Sequence, residues 1–123
     1  MDPRRIPAID VLEAERRLRT PGDAGEPLLV DVREPNEFSQ FRAEGAVLFP
    51  LSTWMLRYRD LPQDRPLLMI CRTGARSGQA TAFLLANGWT DVVNVAGGTM
   101  AWERAGLPLR QGPPADGEGD LPG

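Results

Sequence analysis

The chain of 123 residues contains no histidine and no lysine, and all 14 of its basic residues are arginine. Without histidine, neither a Ser-His-Asp triad nor a Cys-His dyad can form within it. Without lysine, there is no amine for a Schiff base and no phosphate-loop lysine. Cys71 is the only cysteine. A single cysteine makes no intrachain disulfide and no dithiol relay, and a Cys/His zinc site needs about four ligands. Wholly apolar stretches run for only a few residues, far short of a bilayer span. The opening Met1-Asp2-Pro3-Arg4-Arg5 leads into no apolar run of signal-peptide length. With 17 acidic residues against 14 basic ones, the net charge of −3 argues against nucleic acid as the main partner. The expectation is a soluble, cytoplasmic domain with no metal, no cofactor, no membrane contact and no nucleic-acid partner.

What is present suits one globular domain. Apolar residues make up 41% of the chain, enough for a core at this length. Glycine and proline are unevenly spread. From Arg110 to Gly123 they fill seven of 14 positions, with Asp116, Glu118 and Asp120 between them. That composition has little to bury and predicts a flexible acidic tail over 110–123, with the folded part ending near Leu109.

Inside that boundary, short apolar runs alternate with helix-like stretches. Leu28 to Val32, Leu67 to Cys71 and Val92 to Val95 are bracketed by proline or glycine and read as strands covered on both faces. A weaker strand is expected over Ala46 to Phe49. Helices are expected over Val11 to Leu18, Ser52 to Arg59, Ser77 to Ala86 and Thr99 to Ala105, the third meeting the C-capping pair Asn87-Gly88. This alternation predicts an α/β fold with a parallel sheet and helices on both faces.

In such sheets, ligands sit beyond the carboxyl ends of the strands. One end carries Asp31-Val32-Arg33-Glu34, the next Cys71-Arg72-Thr73-Gly74-Ala75-Arg76-Ser77, and the third Gly97-Gly98-Thr99. The middle one places the only thiol just before a helix, where backbone N–H groups and the helix dipole favour a thiolate. Arg72 and Arg76 add positive charge. A free cysteine is by default a small apolar side chain, but this setting marks Cys71 as a nucleophile. Two roles stand open for Arg76: a salt bridge with Asp31, or direct contact with substrate. Asp31 ties down a turn or supports the site, and Arg33 divides between the same roles. Gly97 and Gly98 fit a tight turn or a close backbone approach, and Trp54, Trp89 and Trp102 fit the core.

Three segments, Asp31-Val32-Arg33-Glu34-Pro35, the Cys71 to Ser77 loop, and Val95-Ala96-Gly97-Gly98-Thr99-Met100-Ala101-Trp102, together resemble the rhodanese domain in order and spacing. The resemblance covers about Ile6 to Leu109. It implies a three-layer α/β sandwich around a five-stranded, mostly parallel sheet. It also implies sulfur transfer through a persulfide on Cys71, from a donor such as thiosulfate to cyanide or a thiol, with a protein as one form of acceptor. Where many members carry a Gly-His-Ile-Pro-Gly-Ala-like segment, this chain has Phe41-Arg42-Ala43-Glu44-Gly45-Ala46.

The loop chemistry agrees. A thiolate attacks the donor's outer sulfur, and backbone N–H groups from Arg72, Thr73, Gly74, Ala75, Arg76 and Ser77 cradle the resulting anion. No general base is needed. Cysteine phosphatases and related arsenate reductases use Cys-x5-Arg, whereas the loop here is Cys71-x4-Arg76 and resembles the tighter sulfurtransferase form. A competing reading from another class is a low-turnover persulfide carrier, or a binding or sensing module of the same fold, since fold does not decide function.

Overall fold

The computed structural model describes residues 5–122; residues 1–4 of the opening segment and residue 123 of the tail lie outside them. Three apolar runs form the centre of one sheet: Leu28–Asp31 (β2), Leu67–Ile70 (β5) and Val92–Val95 (β6). Short strands Ala8–Ile9 (β1) and Val47–Leu48 (β4) complete it in the order β1-β6-β5-β2-β4. Every pairing in this sheet is parallel, so the expected five-stranded sheet is present without an antiparallel member.

Side-chain alternation explains why these runs are apolar throughout. Leu28, Val30, Val32, Leu67, Met69 and Cys71 point to one face and pack with Trp54, Tyr58, Ala80 and Leu84. Those four come from Trp54–Arg57 (α3), the turn after it, and Ala75–Ala86 (α4). Leu29, Leu68, Ile70 and Val95 point the other way, against Val11 and Ala14, Phe38, and Trp102. Here the covering elements are Val11–Arg19 (α1), Pro35–Gln40 (α2) and Gly98–Arg104 (α5). A strand buried on both sides has no position at which to alternate polar residues. All three tryptophans are buried, as expected.

The helix expected over Ser77 to Ala86 starts earlier, at Ala75, directly after Gly74 in a left-handed conformation at φ 104°. Asp10 caps α1 by accepting the Glu13 N–H at 2.8 Å. The expected helix over Ser52 to Arg59 is instead two 3-10 turns, Leu51–Thr53 and Tyr58–Asp60, on either side of α3. Burial of the Trp54 and Tyr58 rings against Phe83 sets that broken path. Helix α2 lies where a strand end and loop were expected. Glu34-Pro35 closes β2, but proline at the first helical position also opens a helix.

The largest difference is at the C-terminus. Phe41–Ala43 (β3) pairs antiparallel with Leu109–Gln111 (β7), so the expected boundary at Leu109 falls inside a strand. Residues 112–122, expected as a flexible tail, run back along the domain. Arg42 is 2% exposed, and its guanidinium meets Glu118 at 2.5 and 3.0 Å and the Gly112 carbonyl at 2.6 Å. The Leu48 N–H on edge strand β4 donates to the Gly119 carbonyl at 2.8 Å, and Leu121 packs on the core. The physical reason is satisfaction of groups outside the tail: a buried guanidinium and an open sheet edge both need partners. No described helix is long and apolar enough to cross a membrane.

Removing residues 112–123 should therefore lower the thermal midpoint at neutral pH by ~4 °C or more; an unchanged midpoint would show that the segment is no part of the fold. The Arg42 guanidinium holds the Glu118 carboxyl at about 2, below its ordinary 4.5. A depressed carboxyl stabilises the folded state fully above its unfolded value and loses that contribution as pH falls. The difference between full-length and truncated chains should thus shrink between pH 4.5 and 2.

Candidate active site

Cys71 is the first residue past the end of β5, where the inward-facing alternation continues for one more position. Its side chain is 1% exposed. The chain then turns through Arg72, Thr73 and Gly74 into α4 and wraps the sulfur on its way. The Gly74 N–H donates to Sγ at 3.1 Å, and the Ser77 hydroxyl lies 3.2 Å from the same atom. Burial pushes the Cys71 thiol up, but the Ser77 hydroxyl and the backbone N–H groups of Ser77, Gly74 and Thr73 outweigh it and hold the thiol below its ordinary value.

A loop can aim its N–H groups inward only if its carbonyls are satisfied elsewhere. The Cys71 carbonyl accepts the Thr99 N–H at 2.8 Å and the Arg72 carbonyl accepts the Met100 N–H at 3.1 Å. The Gly74 carbonyl accepts Asn94 Nδ2 at 3.0 Å. Gly98 makes the first two bonds possible. It sits at φ 60°, and a Cβ there would fall well inside 3.0 Å of the Cys71 and Arg72 carbonyl oxygens. Of the two roles open to the glycine pair, Gly98 takes the close backbone approach, between α5 and the cysteine loop.

The charged residues are arranged differently from the expectation. Arg76 pairs neither with Asp31 nor with open space for a substrate. Both its terminal nitrogens are gripped by Glu37 on α2, at 2.7 and 2.9 Å. Asp31 is taken instead by Arg33, two residues along, at 2.8 to 3.0 Å. Arg33 is buried and also donates to the Phe41 carbonyl at 2.8 Å, which ties the end of β2 to β3. Asp31 and Arg33 support the frame and do not touch the sulfur. Arg72 is exposed and lines a cleft of about 270 Å³ with Arg33, Glu37, Gln40, Phe41, Met100 and Glu103. Thr73 and Ala75 are exposed on the loop rim, and Ser77 is buried under it.

Two residues of the site carry no role in the sequence reading. Glu37 has no distinguishing signal, being one of several acidic residues around Pro35. Asn94 does have one: it is the sole polar residue in the run Val92-Val93-Asn94-Val95.

Gly98→Ala is expected to cost about 1–3 kcal/mol of stability through strain alone and to raise the pH midpoint of Cys71 alkylation by iodoacetamide. Native behaviour on both counts would remove the assigned role of the glycine. In the native chain, that midpoint should lie below the ordinary thiol value of about 8.5.

Residues 13–105 match the family described as Rhodanese-like domain. A protein named Sulfurtransferase, from Allochromatium vinosum, is 37% identical over 101 residues, 82% of this chain and 94% of its own length. Thiosulfate sulfurtransferase GlpE of Actinobacillus succinogenes is 35% identical over 67% of this chain and 74% of its own. Uncharacterized protein YqhL of Bacillus subtilis is 40% identical over 60% of this chain, which spans 59% of its length. Among solved structures, thiosulfate sulfurtransferase from Pseudomonas aeruginosa aligns with a TM-score of 0.77 at 26% identity, covering 89% of this chain and 21% of that one. With its parallel sheet, its cysteine loop and these relatives, the chain belongs to the rhodanese-like family.

Proposed function

We propose that this protein is a sulfurtransferase that carries sulfane sulfur as a persulfide on Cys71. The observation that carries the reading is the inward ring of N–H groups and the Ser77 hydroxyl around a single buried sulfur. Such a ring stabilises one anionic atom and has donors, not acceptors, where charge gathers. Relatives named sulfurtransferase support the same reading.

The reaction runs in two displacements. The Cys71 thiolate attacks the outer sulfur of thiosulfate, the S–S bond to the sulfonate breaks, and sulfite leaves with the bonding pair. Cys71 is left as a persulfide anion. Cyanide or a thiolate then attacks the terminal sulfur, and the thiolate of Cys71 is the leaving group. For cyanide the product is thiocyanate. Neither displacement requires a proton, which suits a chain with no histidine. Arg72, exposed at the rim of the cleft, meets the negative charge of an anionic donor.

Arg76 is held away from this chemistry. With both terminal nitrogens on Glu37, it serves as a strut between α4 and α2. That arrangement counts against phosphatase or arsenate chemistry, in which an arginine must grip a tetrahedral oxyanion.

Intact mass under non-reducing conditions tests the proposal. Thiosulfate should add the mass of one sulfur atom to the native chain and none to Cys71→Ser, and cyanide should remove it. No gain with thiosulfate or with another sulfane donor would overturn the reading. A persulfide that forms and resists cyanide would mark a low-turnover carrier instead. Arg72→Ala should slow loading by thiosulfate by about tenfold, the loss of roughly one charge-assisted contact, with the Cys71 alkylation midpoint little changed.

A further inference from the structure

Asn94 stands alone as a polar side chain in β6, and both ends of its amide are engaged. Nδ2 donates to the Gly74 carbonyl at 3.0 Å. The amide cannot be reversed without setting Oδ1 against that carbonyl, so Oδ1 faces the Ser77 hydroxyl, which donates to it at 2.6 Å. The same hydroxyl oxygen lies 3.2 Å from Cys71 Sγ. A hydroxyl has one proton to give, and two acceptors compete for it.

The two protonation states of the sulfur use this hydroxyl in opposite directions. While Cys71 is a thiol, Ser77 donates to Asn94 Oδ1 and its oxygen accepts the S–H. When Cys71 is a thiolate, the Ser77 proton turns to the sulfur and Oδ1 loses its donor. An acceptor that gives up its protein donor when the thiol ionises favours the thiol state.

We propose that Asn94 is a positioning residue that competes with Cys71 for the Ser77 proton and thereby restrains ionisation of the thiol. It acts through Ser77 and does not touch the sulfur. A tempered thiolate is less open to oxidation, which matters where Cys71 is the only cysteine. The charged groups around the sulfur are Arg72 and Arg76 from the loop and α4, Asp31 and Arg33 from the end of β2, Glu37 from α2 and Glu103 from α5. None is altered in the test.

The test is the pH dependence of iodoacetamide alkylation in the native chain, Asn94→Ala, Ser77→Ala and the double variant, each checked for a native unfolding transition. Asn94→Ala should lower the Cys71 midpoint by about 0.5–1 pH unit, the worth of one released hydrogen bond. Ser77→Ala should raise it, and adding Asn94→Ala to Ser77→Ala should then move it little. A rise in Asn94→Ala, no shift, or an equal shift with and without Ser77 would overturn the proposal, because an asparagine that merely holds the loop would behave in those ways. The assay uses no sulfur donor, so its failure is distinct from a failure of sulfur transfer.

Discussion

The cysteine loop depends on the orientation of its peptides. The loop's N–H groups converge on one sulfur only because its carbonyls are turned outward and bound, by Thr99 and Met100 on α5 and by Asn94 on β6. A loop lacking the two α5 partners would turn the Cys71 and Arg72 carbonyls inward, where they would repel an anionic sulfur, whereas the Gly74 carbonyl is also held by the Gly78 N–H at 3.0 Å. Gly98 is the closest point of this arrangement, where only a hydrogen atom fits between α5 and the Cys71 and Arg72 carbonyls. The parallel sheet supplies the rest of the geometry. Neighbouring strands end at one edge, so the segments following β2, β5 and β6 meet there although they lie far apart in sequence.

Around that loop, charge is spent on building a frame. The Asp31–Arg33 pair is almost wholly buried, and Arg76 with Glu37 bridges α4 to α2. Buried or half-buried pairs of this kind contribute little net stability, but removing one partner strands the other. They fix positions. The Arg42–Glu118 pair does the same for the C-terminal segment, closing it over β4. Arg33, Arg42 and Arg76 are thus structural, and Arg72 alone faces the cleft without a carboxylate held against it among the described residues.

Much of the fold was legible from pattern. The three central strands were marked by short apolar runs between prolines and glycines, and their burial on both faces followed from the lack of polar alternation. Helices α1, α4 and α5 were legible from helical spacing, helix-forming residues and glycine at their ends, to within a residue or two. What was not legible had weak local signals. Helix α2 begins with a proline that also reads as a strand terminator. Strands β3 and β7 are three residues each and owe their pairing to one another. The 3-10 turns around α3 follow aromatic packing. A Gly/Pro-rich composition gives no hint that a buried arginine elsewhere requires Glu118.

The sequence by itself determined the class of the fold, the place of the single cysteine at a strand end and the absence of histidine. Each of these is local: a run of apolar residues, a single cysteine at a strand end, a composition. Only the tertiary structure decided which charges pair. Arg76 meets a carboxylate 39 positions away and Arg42 one 76 positions away, while Asp31 goes to Arg33. Asn94, likewise, is an isolated polar residue until β6 is laid beside β5 and its amide meets Gly74 and Ser77. Hydrogen bonds and ion pairs are short-ranged and directional, so their partners follow from strand order and helix placement, which no local pattern encodes.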